Sequence, residues 1–487
     1  MEMTNVLLLI VSGLVGAYVF LFGFLRKLNE LLYVKRLGNK QYDLPPGDMG
    51  WPFVGKMLSF SKSLKSRDPD SFISSFASRY GAVGIYKTFM HGAPSIIVCS
   101  SETCRRVLAD EENFKMSYPV MTRRLGGGKT FHSMSNSEHK YYRRLTAAVI
   151  NGSDTLSMYI RHIEDVMIAS LDKWSSEDQP VEFATEMKKP AFKVILPIFC
   201  GSEADSMVER LIYLFDEIKK GLGFPRINFP GFKFHRSVQA KEELTEILME
   251  ALSSLRSAAG NFASGVGRSL MDILLTSKDE DGLPLSDYAI HDLVYMYLSA
   301  GFESTTTATM LTLFFLHENP DMLEKAKEEQ VQILKKRDST QTGFGFHEIK
   351  QMEYLSKVID EMLRFMGGYL FREAKSDVTI NGYLVPKGWK VLVWLRAVHM
   401  NPDNYEEPKE FNPSRWENPK RKGGTFIPFG AGSRFCPGSD LAKLEICIFL
   451  HHFLLNYKLE RINPGSPIIY TPGPLPADKF LVRFKKA

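Results

Sequence analysis

The stretch FGAGSRFCPG, residues 429–438 of this 487-residue chain, places one cysteine on a glycine-rich loop. The five cysteines of the chain are scattered and none has a C-x-x-C partner, so they predict neither a zinc site nor a disulfide framework. A thiolate must be stabilised by positive charge or hydrogen-bond donors. Arg434 stands two residues before Cys436, and Pro437-Gly438 leads into a predicted helix, whose first backbone amides are free donors. The stretch therefore suits a thiolate that is held as a metal ligand.

A second group of chemically active residues interrupts the apolar stretch 292–320, which predicts one central helix about 40 Å long. Gly301 and Glu303 break its pattern, because glycine costs about 1 kcal/mol in a helix interior and a buried carboxylate needs a partner. Ser304 is predicted to bond back to the carbonyl group of Ala300, four residues earlier. Small residues beside an acid and an alcohol would leave room for a ligand and a route for protons. The alternative is a polar helix face that packs against another helix.

An E-x-x-R pair and a distant arginine form a third group. Glu361 and Arg364 fall on one face of a predicted helix, and Arg415 follows in the segment FNPSRW. A network of the three would tie this helix to the loop that enters the cysteine segment. As a surface ion pair, the motif would contribute little to stability.

The elements that must position these groups are predicted to be mostly helical. Helical patterns dominate from about residue 101 to residue 363, while alternating stretches on either side predict hairpins with turns at His91-Gly92 and Asn381-Gly382. Hydrophobic residues make up 44% of the chain and are spread along it, so we expect one large domain or two fused lobes. The net charge of +5 is too mild for a nucleic-acid partner. The fold class is thus mainly α with small β-sheets.

The N-terminal segment has the sequence pattern of a membrane anchor. Val6 to Leu25 is an uncharged apolar run of 20 residues, long enough to cross a bilayer, and basic residues follow it. This predicts an anchor with its basic flank over 1–40 and a catalytic domain over 41–487, which stays in the cytosol. The alternative, a cleaved signal peptide, would have a shorter core and charge in front of it. With a cytosolic body, the glycosylation sequon Asn151-Gly152-Ser153 should go unused.

In combination, these motifs resemble those of the cytochrome P450 monooxygenases. Residues 429–438 fit the pattern F-x-x-G-x-R-x-C-x-G, and the E-x-x-R, the aromatic-Pro-Arg segment, the A-G-x-E motif and the Pro-Pro-Gly hinge after the anchor are all present. The resemblance covers essentially the whole chain. Stretches such as REAKSDVTINGYLVPKGWKVLVW are most similar to plant ent-kaurenoic acid oxidases and their triterpenoid-oxidising relatives of the cucurbitadienol-oxidase type. The resemblance implies the haem-thiolate monooxygenase fold, with an N-terminal transmembrane helix in the endoplasmic reticulum membrane.

The resemblance also implies roles for individual residues. The residues implied for haem binding are Cys436, as the axial ligand of the iron, with Arg434, Arg372, Arg143, His139, Phe429 and Gly438. The residues implied for proton delivery are Glu303, Ser304 and Thr305, and those for the structural network are Glu361, Arg364 and Arg415. The residues implied for the substrate pocket are Ala300, Gly301, Met366, Gly367, Gly368, Tyr369 and Leu370. The chain departs from most of the family at His139, where tryptophan is usual, and at Ser304, where threonine is usual.

The implied reaction inserts one oxygen atom of O2 into a C–H bond. Haem b is the implied cofactor, and a cytochrome P450 reductase supplies electrons from NADPH. The implied partners are this reductase, membrane lipid and a hydrophobic terpenoid, with no obligate oligomer. Gly367-Gly368 removes bulk from the predicted pocket, which favours a tetracyclic triterpenoid such as a cucurbitadienol-like alcohol. If these glycines only shape a turn, oxidation of ent-kaurenoic acid is the alternative.

Functions from other classes are weaker hypotheses. Gly128-Lys129-Thr130 matches the end of a P-loop, but the first glycine of that motif falls on Arg123 and no apolar strand precedes it. A non-enzymatic haem sensor would not need the acid and alcohol of the long helix. A haem-thiolate isomerase that does not use O2 also stays open, and NADPH consumption with added terpenoid would separate these functions.

Overall fold

The computed structural model describes residues 2–119, 125–126, 134–201, 205–222, 227–257, 268–279, 281–337, 344–417, 423–470 and 473–487. The chain divides into two compact units. The first unit comprises residues 1–119 and 368–401, and the second unit comprises residues 120–367 and 402–487. The P-loop-like residues 128–130 lie outside the described part of the chain.

Helices make up most of the second unit. In chain order, the α-helices of the described residues are α1 (Glu2–Asn29), α2 (Met57–Lys65), α3 (Ser71–Tyr80), α4 (Ser101–Ala109), α5 (Asn136–Ile150), α6 (Ser153–Ser176), α7 (Phe183–Glu186), α8 (Lys188–Cys200), α9 (Asp205–Lys220), α10 (Lys233–Ser257), α11 (Leu270–Thr276), α12 (Asp287–Glu318), α13 (Pro320–Lys336), α14 (Phe346–Lys350), α15 (Glu353–Phe365), α16 (Leu395–His399) and α17 (Ser439–Asn456). Of these, α5 to α15 and α17 belong to the second unit.

The strands are short and are concentrated in the first unit. In chain order they are β1 (Gly47–Asp48), β2 (Ile85–Met90), β3 (Ala93–Val98), β4 (Phe114–Met116), β5 (Val181–Glu182), β6 (Tyr369–Ala374), β7 (Val378–Ile380), β8 (Tyr383–Val385), β9 (Lys390–Trp394), β10 (Tyr457–Arg461), β11 (Ile468–Tyr470), β12 (Pro474–Pro476) and β13 (Leu481–Lys486). The first unit holds a six-stranded sheet with the order β1-β2-β3-β9-β6-β4 and the hairpin β7-β8, and the second unit holds β10-β13-β5 and β11-β12. The predicted class, mainly α with small sheets, is confirmed.

Both hairpins form at the predicted turns. His91 and Gly92 join β2 to β3, and Asn381 and Gly382 join β7 to β8; all four residues have positive φ angles, from 51° to 79°. Two-residue hairpin turns of this kind need left-handed backbone, which glycine adopts freely and asparagine tolerates. Strands β7 and β8 are antiparallel, with Ile380 paired to Tyr383.

The predicted central helix is α12, a 32-residue element. It begins at Ser286, whose hydroxyl oxygen accepts a hydrogen bond from the Ala289 backbone N–H group at 3.3 Å. Most of its residues are buried on every side, as expected of a helix in the middle of a core. The helix therefore provides a rigid support for the few polar residues that it carries.

The predicted anchor run lies within α1, which begins at Glu2 and ends at Asn29. Within the part of the chain that the structure describes, no helix combines the length and apolar character needed to span a membrane. The expected transmembrane helix is therefore not confirmed.

Aromatic packing holds the core of the second unit together around Phe183. This side chain is fully buried, and its ring lies 5.4–6.2 Å from the rings of Trp174, Phe449, Phe480 and Phe484. Aromatic pairs at these distances add to the stability gained from burying their area. The cluster joins the start of α7, the long helices α6 and α17, and strand β13.

Replacing Phe183 with alanine should lower the free energy of unfolding by about 3–5 kcal/mol, because it opens a cavity that the surrounding rings cannot fill. Chemical denaturation followed by circular dichroism measures this change. The matched control is Phe229→Ala, since Phe229 is 63% exposed. Equal stability of the two variants would show that the cluster around Phe183 does not support the fold.

Candidate active site

The cysteine loop connects a short 3₁₀ turn, Gly432–Arg434, to helix α17. The loop is held by its own backbone, because the Cys436 N–H group donates to the Phe429 carbonyl oxygen at 3.0 Å. Gly432 has a φ angle of 72°, which a residue with a side chain rarely adopts. A Cβ atom placed on Gly438 would meet no other atom within 4 Å. The backbone beside the sulfur therefore borders open space.

Opposing effects act on the Cys436 thiol. Burial raises its pKa, and the Asp440 carboxylate raises it as well, while a hydrogen bond from the Gly438 backbone N–H group and the nearby Arg143 guanidinium lower it. The net shift is upward from 9.0, so the free thiol keeps its proton near neutral pH. A bound metal cation would displace that proton, because coordination deprotonates a thiol.

The remaining cysteines behave differently. Burial raises the pKa of Cys99, Cys200 and Cys447 to about 12, and that of Cys104 also rises well above its usual value. Of the five cysteines, Cys436 alone combines a backbone N–H donor with a nearby guanidinium group.

Helix α5 brings two predicted haem-binding residues towards the loop. The Arg143 guanidinium donates to the Phe435 carbonyl oxygen at 2.6 Å, directly beside Cys436. On the loop itself, Arg434 donates to the Asn136 side-chain oxygen, at the start of α5, at 3.1 Å. His139 is also on α5 but is only 2% exposed. The helix and the loop are thus joined by two polar contacts, and the Arg143 guanidinium lies near the thiol.

The polar middle of α12 forms an exposed strip on an otherwise buried helix. Ala300 and Ser304, four residues apart, are exposed, whereas Thr305 is 3% exposed. The Ser304 hydroxyl donates to the Ala300 carbonyl oxygen at 2.7 Å, which confirms the predicted back-bond. Gly301 faces α8 instead, because a Cβ atom on it would lie 3.2 Å from the Ile195 side chain. Its small size therefore allows close packing of two helices, and its predicted place in the pocket stays a prediction.

Glu303 has a partner that the sequence did not indicate. The Lys219 ammonium group, on α9, lies 2.9 Å from each of its carboxylate oxygens. Glu303 is 29% exposed and Lys219 is 57% exposed, so water screens the pair and its net contribution is at most about 1 kcal/mol. Such a pair opens easily, which leaves the carboxylate accessible to water. A lysine in the last turn of a helix carries no sequence signal for this contact.

The predicted Glu–Arg–Arg network is present and fully formed. Arg364 donates to both carboxylate oxygens of Glu361, at 2.8 and 2.9 Å, and Arg415 donates to one of them at 2.9 Å. The side chains of Glu361 and Arg364 are completely buried. A fourth donor, the Trp416 indole N–H group, reaches the same carboxylate at 3.1 Å, and the sequence did not reveal it. Its ring contacts Phe426, which precedes the cysteine loop.

Four predicted site residues belong to the first unit. Arg372, on β6, is 4% exposed, and burial lowers its pKa. The Tyr369 hydroxyl group shares a hydrogen bond of 3.0 Å with His91 Nε2, and the Tyr369 ring stacks on Trp394 with ring centroids 4.6 Å apart. Gly368 is exposed, and Leu370 is partly exposed. The roles predicted for these four residues, and for Met366 and Gly367 of the second unit, stay predictions.

Comparison with known proteins decides the family. The family model described as Cytochrome P450 matches residues 45–482. The chain belongs to the cytochrome P450 family. Similar curated proteins include the 7,8-epoxymelianol synthase of Ailanthus altissima, 48% identical over 99% of this chain and 97% of that protein. The beta-amyrin 11-oxidase of Glycyrrhiza uralensis is 46% identical (98% and 97% covered), and ent-kaurenoic acid oxidase 2 of Arabidopsis thaliana is 46% identical (95% and 94% covered).

The fold agrees with this assignment. The solved structure of retinoic-acid-bound cyanobacterial CYP120A1 superposes with a TM-score of 0.81 at 25% identity and covers 92% of this chain and 100% of its own. The chain is therefore a haem-thiolate monooxygenase, an oxidoreductase that uses O2 and electrons from a reductase, as the sequence indicated. The sensor hypothesis is excluded by this membership.

The residues of the second unit fit a haem group at Cys436. The thiol is partly exposed on a loop that borders open space, with an arginine beside it. Tyr297, one turn before Ala300 on α12, shares a hydrogen bond of 2.6 Å with the Thr146 hydroxyl group, so α12 packs against α5, the helix that carries Arg143. In this P450, Cys436 would hold the iron, and the bound haem would supply the activation of dioxygen.

Replacing Glu361 with glutamine should lower the free energy of unfolding by about 3–5 kcal/mol, because Arg364 would remain buried without a counter-charge. The fraction of thiolate-ligated haem protein should fall as well, since the network adjoins the cysteine loop. Thermal unfolding and the ferrous–CO spectrum measure the two effects.

The matched control is Glu417→Gln. Glu417 pairs with Lys357 at 3.2 Å but is 51% exposed, so its loss should change stability by less than about 1 kcal/mol. If Glu361→Gln proved as stable as Glu417→Gln, burial of the network would not matter to this protein.

Proposed function

We propose that this P450 inserts one oxygen atom into a C–H bond of a tetracyclic triterpenoid, a cucurbitadienol-like alcohol. The other oxygen atom of O2 leaves as water, and NADPH supplies two electrons through the reductase. The observation that carries the proposal is the open space at Gly368, where a Cβ atom would meet nothing within 4 Å. A bulky polycyclic skeleton needs such space at the wall of its pocket.

The relatives support a polycyclic terpenoid but do not choose between its classes. One is named for melianol and one for beta-amyrin, which are triterpenoid alcohols, and another is named for ent-kaurenoic acid at nearly the same identity. Oxidation of ent-kaurenoic acid is the second candidate, supported by the Arabidopsis relative.

Residues of α12 would handle the protons of the reaction. Ser304 is exposed in the middle of a buried helix. Its hydroxyl oxygen can accept a hydrogen bond from a water molecule while its hydrogen is donated to the Ala300 carbonyl oxygen. Glu303, released from Lys219, would exchange protons with solvent. Because Phe302 and Thr305 beside it are buried, the strip is the part of the middle of α12 that water can reach.

The N-terminal helix would place the enzyme in the cell. We infer that α1 anchors the chain in the endoplasmic reticulum membrane, on the strength of its apolar sequence from Val6 to Leu25. Deleting residues 1–40 should then release the protein from alkali-washed microsomes, and a truncated chain that stays with the membrane as fully as the complete chain would contradict the anchor.

Co-expression with a plant reductase in yeast strains that make cucurbitadienol, beta-amyrin or ent-kaurenoic acid tests the substrate class. We expect a mono-oxygenated product from the tetracyclic alcohol. Conversion of ent-kaurenoic acid without any triterpenoid product would contradict the proposal.

Gly368→Leu tests whether the substrate uses the open space at Gly368. Because the added side chain enters open space, the variant should fold normally but lose roughly tenfold or more in kcat/KM with the triterpenoid. Gly465→Leu is the matched control, since a Cβ atom there also meets nothing within 4 Å. Unchanged kinetics in Gly368→Leu would show that the space at this glycine is not used by the substrate.

Ser304→Ala should lower the amount of product formed per NADPH consumed, by about tenfold or more, because the group that positions the proton-carrying water is lost. The control is Thr309→Val, which removes a hydroxyl that also bonds back four residues on α12, to the Thr305 carbonyl oxygen at 2.9 Å. Equal coupling in both variants would show that Ser304 has no part in proton delivery.

A further inference from the structure

Two peptide groups beside Cys436 form hydrogen bonds through both their carbonyl oxygen and their N–H group. In the first, the Phe435 carbonyl oxygen accepts from Arg143 at 2.6 Å, and the Cys436 N–H group donates to the Phe429 carbonyl oxygen at 3.0 Å. In the second, which joins Pro437 to the next residue, the N–H group of Gly438 donates to the Cys436 sulfur. The peptide between these two has no N–H group, because its nitrogen belongs to proline.

The carbonyl end of the second peptide is held by Asn151. This residue terminates α5, and its side-chain amide faces two carbonyl oxygens; with the nitrogen assigned to that side, it lies 2.7 Å from the Pro437 carbonyl oxygen and 3.2 Å from the Ile150 carbonyl oxygen. The amide is oriented by this environment, since turning its oxygen towards two carbonyl oxygens would leave both contacts repulsive. Asn151 thus donates to the far end of the peptide whose N–H group bonds the sulfur.

A peptide group is planar and rigid, so its carbonyl oxygen and its N–H group move together. A donor that holds the oxygen also holds the direction of the N–H bond, and it polarises the group so that the N–H becomes a stronger donor. Hydrogen bonds to a ligating sulfur withdraw charge from it and tune the metal, as outer-shell contacts generally do.

We propose that Asn151 is a positioning residue for the haem thiolate, which acts through the Pro437–Gly438 peptide on the hydrogen bond to Cys436. The side chain touches neither haem nor substrate, and the proposal requires haem binding but no particular substrate. It also gives the sequon Asn151-Gly152-Ser153 a second reason to remain unmodified, because a glycan on the amide nitrogen would displace the contact with Pro437.

Asn151→Leu tests the proposal, since leucine has a similar size and no donor. Asn319→Leu is the matched control: Asn319 terminates α12 and donates its side-chain amide to the Phe315 carbonyl oxygen at 2.8 Å, away from the cysteine loop. The purified haem proteins are compared by their ferric–ferrous reduction potential and by the rate at which the thiolate-ligated ferrous–CO complex decays.

Asn151→Leu should shift the potential to more negative values, because a sulfur with a weaker hydrogen bond donates more charge to iron. Its CO complex should lose the thiolate about fivefold faster than the parent protein, the effect of one lost hydrogen bond. Asn319→Leu should match the parent in both measurements. The proposal is overturned if Asn151→Leu also matches the parent, or if Asn319→Leu shows the same changes.

A second pair of variants tests the proposal if Asn151→Leu incorporates haem poorly. Asn151→Asp keeps the size of the side chain and replaces the donating nitrogen with an acceptor, and Asn319→Asp is its control. Faster thiolate loss in Asn151→Asp alone supports the proposal, and equal decay rates in the two aspartate variants refute it.

Discussion

The structure depends on keeping a negative charge on one sulfur atom that burial would leave protonated. Desolvation raises the pKa of the Cys436 thiol, so the charged form must be supported by its surroundings and by the metal. The loop supplies a backbone N–H group from Gly438, helix α5 supplies the Arg143 guanidinium, and a bound iron would take the place of the proton. Each of these requires the backbone around Cys436 to stay in one conformation, which explains why several distant elements converge on a ten-residue loop.

A buried ion network supports the same region. Glu361 and Arg364 are completely buried, and a buried charge without its partner costs several kcal/mol, so the network is tolerated only because every lone pair is used. Glu361 accepts from Arg364, Arg415 and Trp416, and also from the backbone N–H group of Asn412. This fixes helix α15 to the segment that leads into the cysteine loop. These buried polar contacts therefore hold the segment that leads into the cysteine loop.

Local features of this chain could be predicted from sequence because their causes are local. The turn at Asn381-Gly382 follows from the backbone angles that these residues allow, and the Ser304 bond to Ala300 follows from helix geometry. The Glu361–Arg364 pair follows from a three-residue spacing. By contrast, Lys219 and Glu303 are 84 residues apart, and nothing in either neighbourhood indicates their contact. Asn151 illustrates the same limit: in the sequence it reads as part of a glycosylation sequon, whereas the fold brings it to the Pro437 carbonyl oxygen.

The central claim is that the Cys436 sulfur ligates the haem iron, and the ferrous–CO spectrum of purified protein tests it most directly. The parent protein and a Cys200→Ala control should both give the thiolate-ligated band, because Cys200 is a buried residue with no part in the loop. Cys436→Ala should give no such band and no oxygenated product. A thiolate-ligated band that survived in Cys436→Ala would contradict the account.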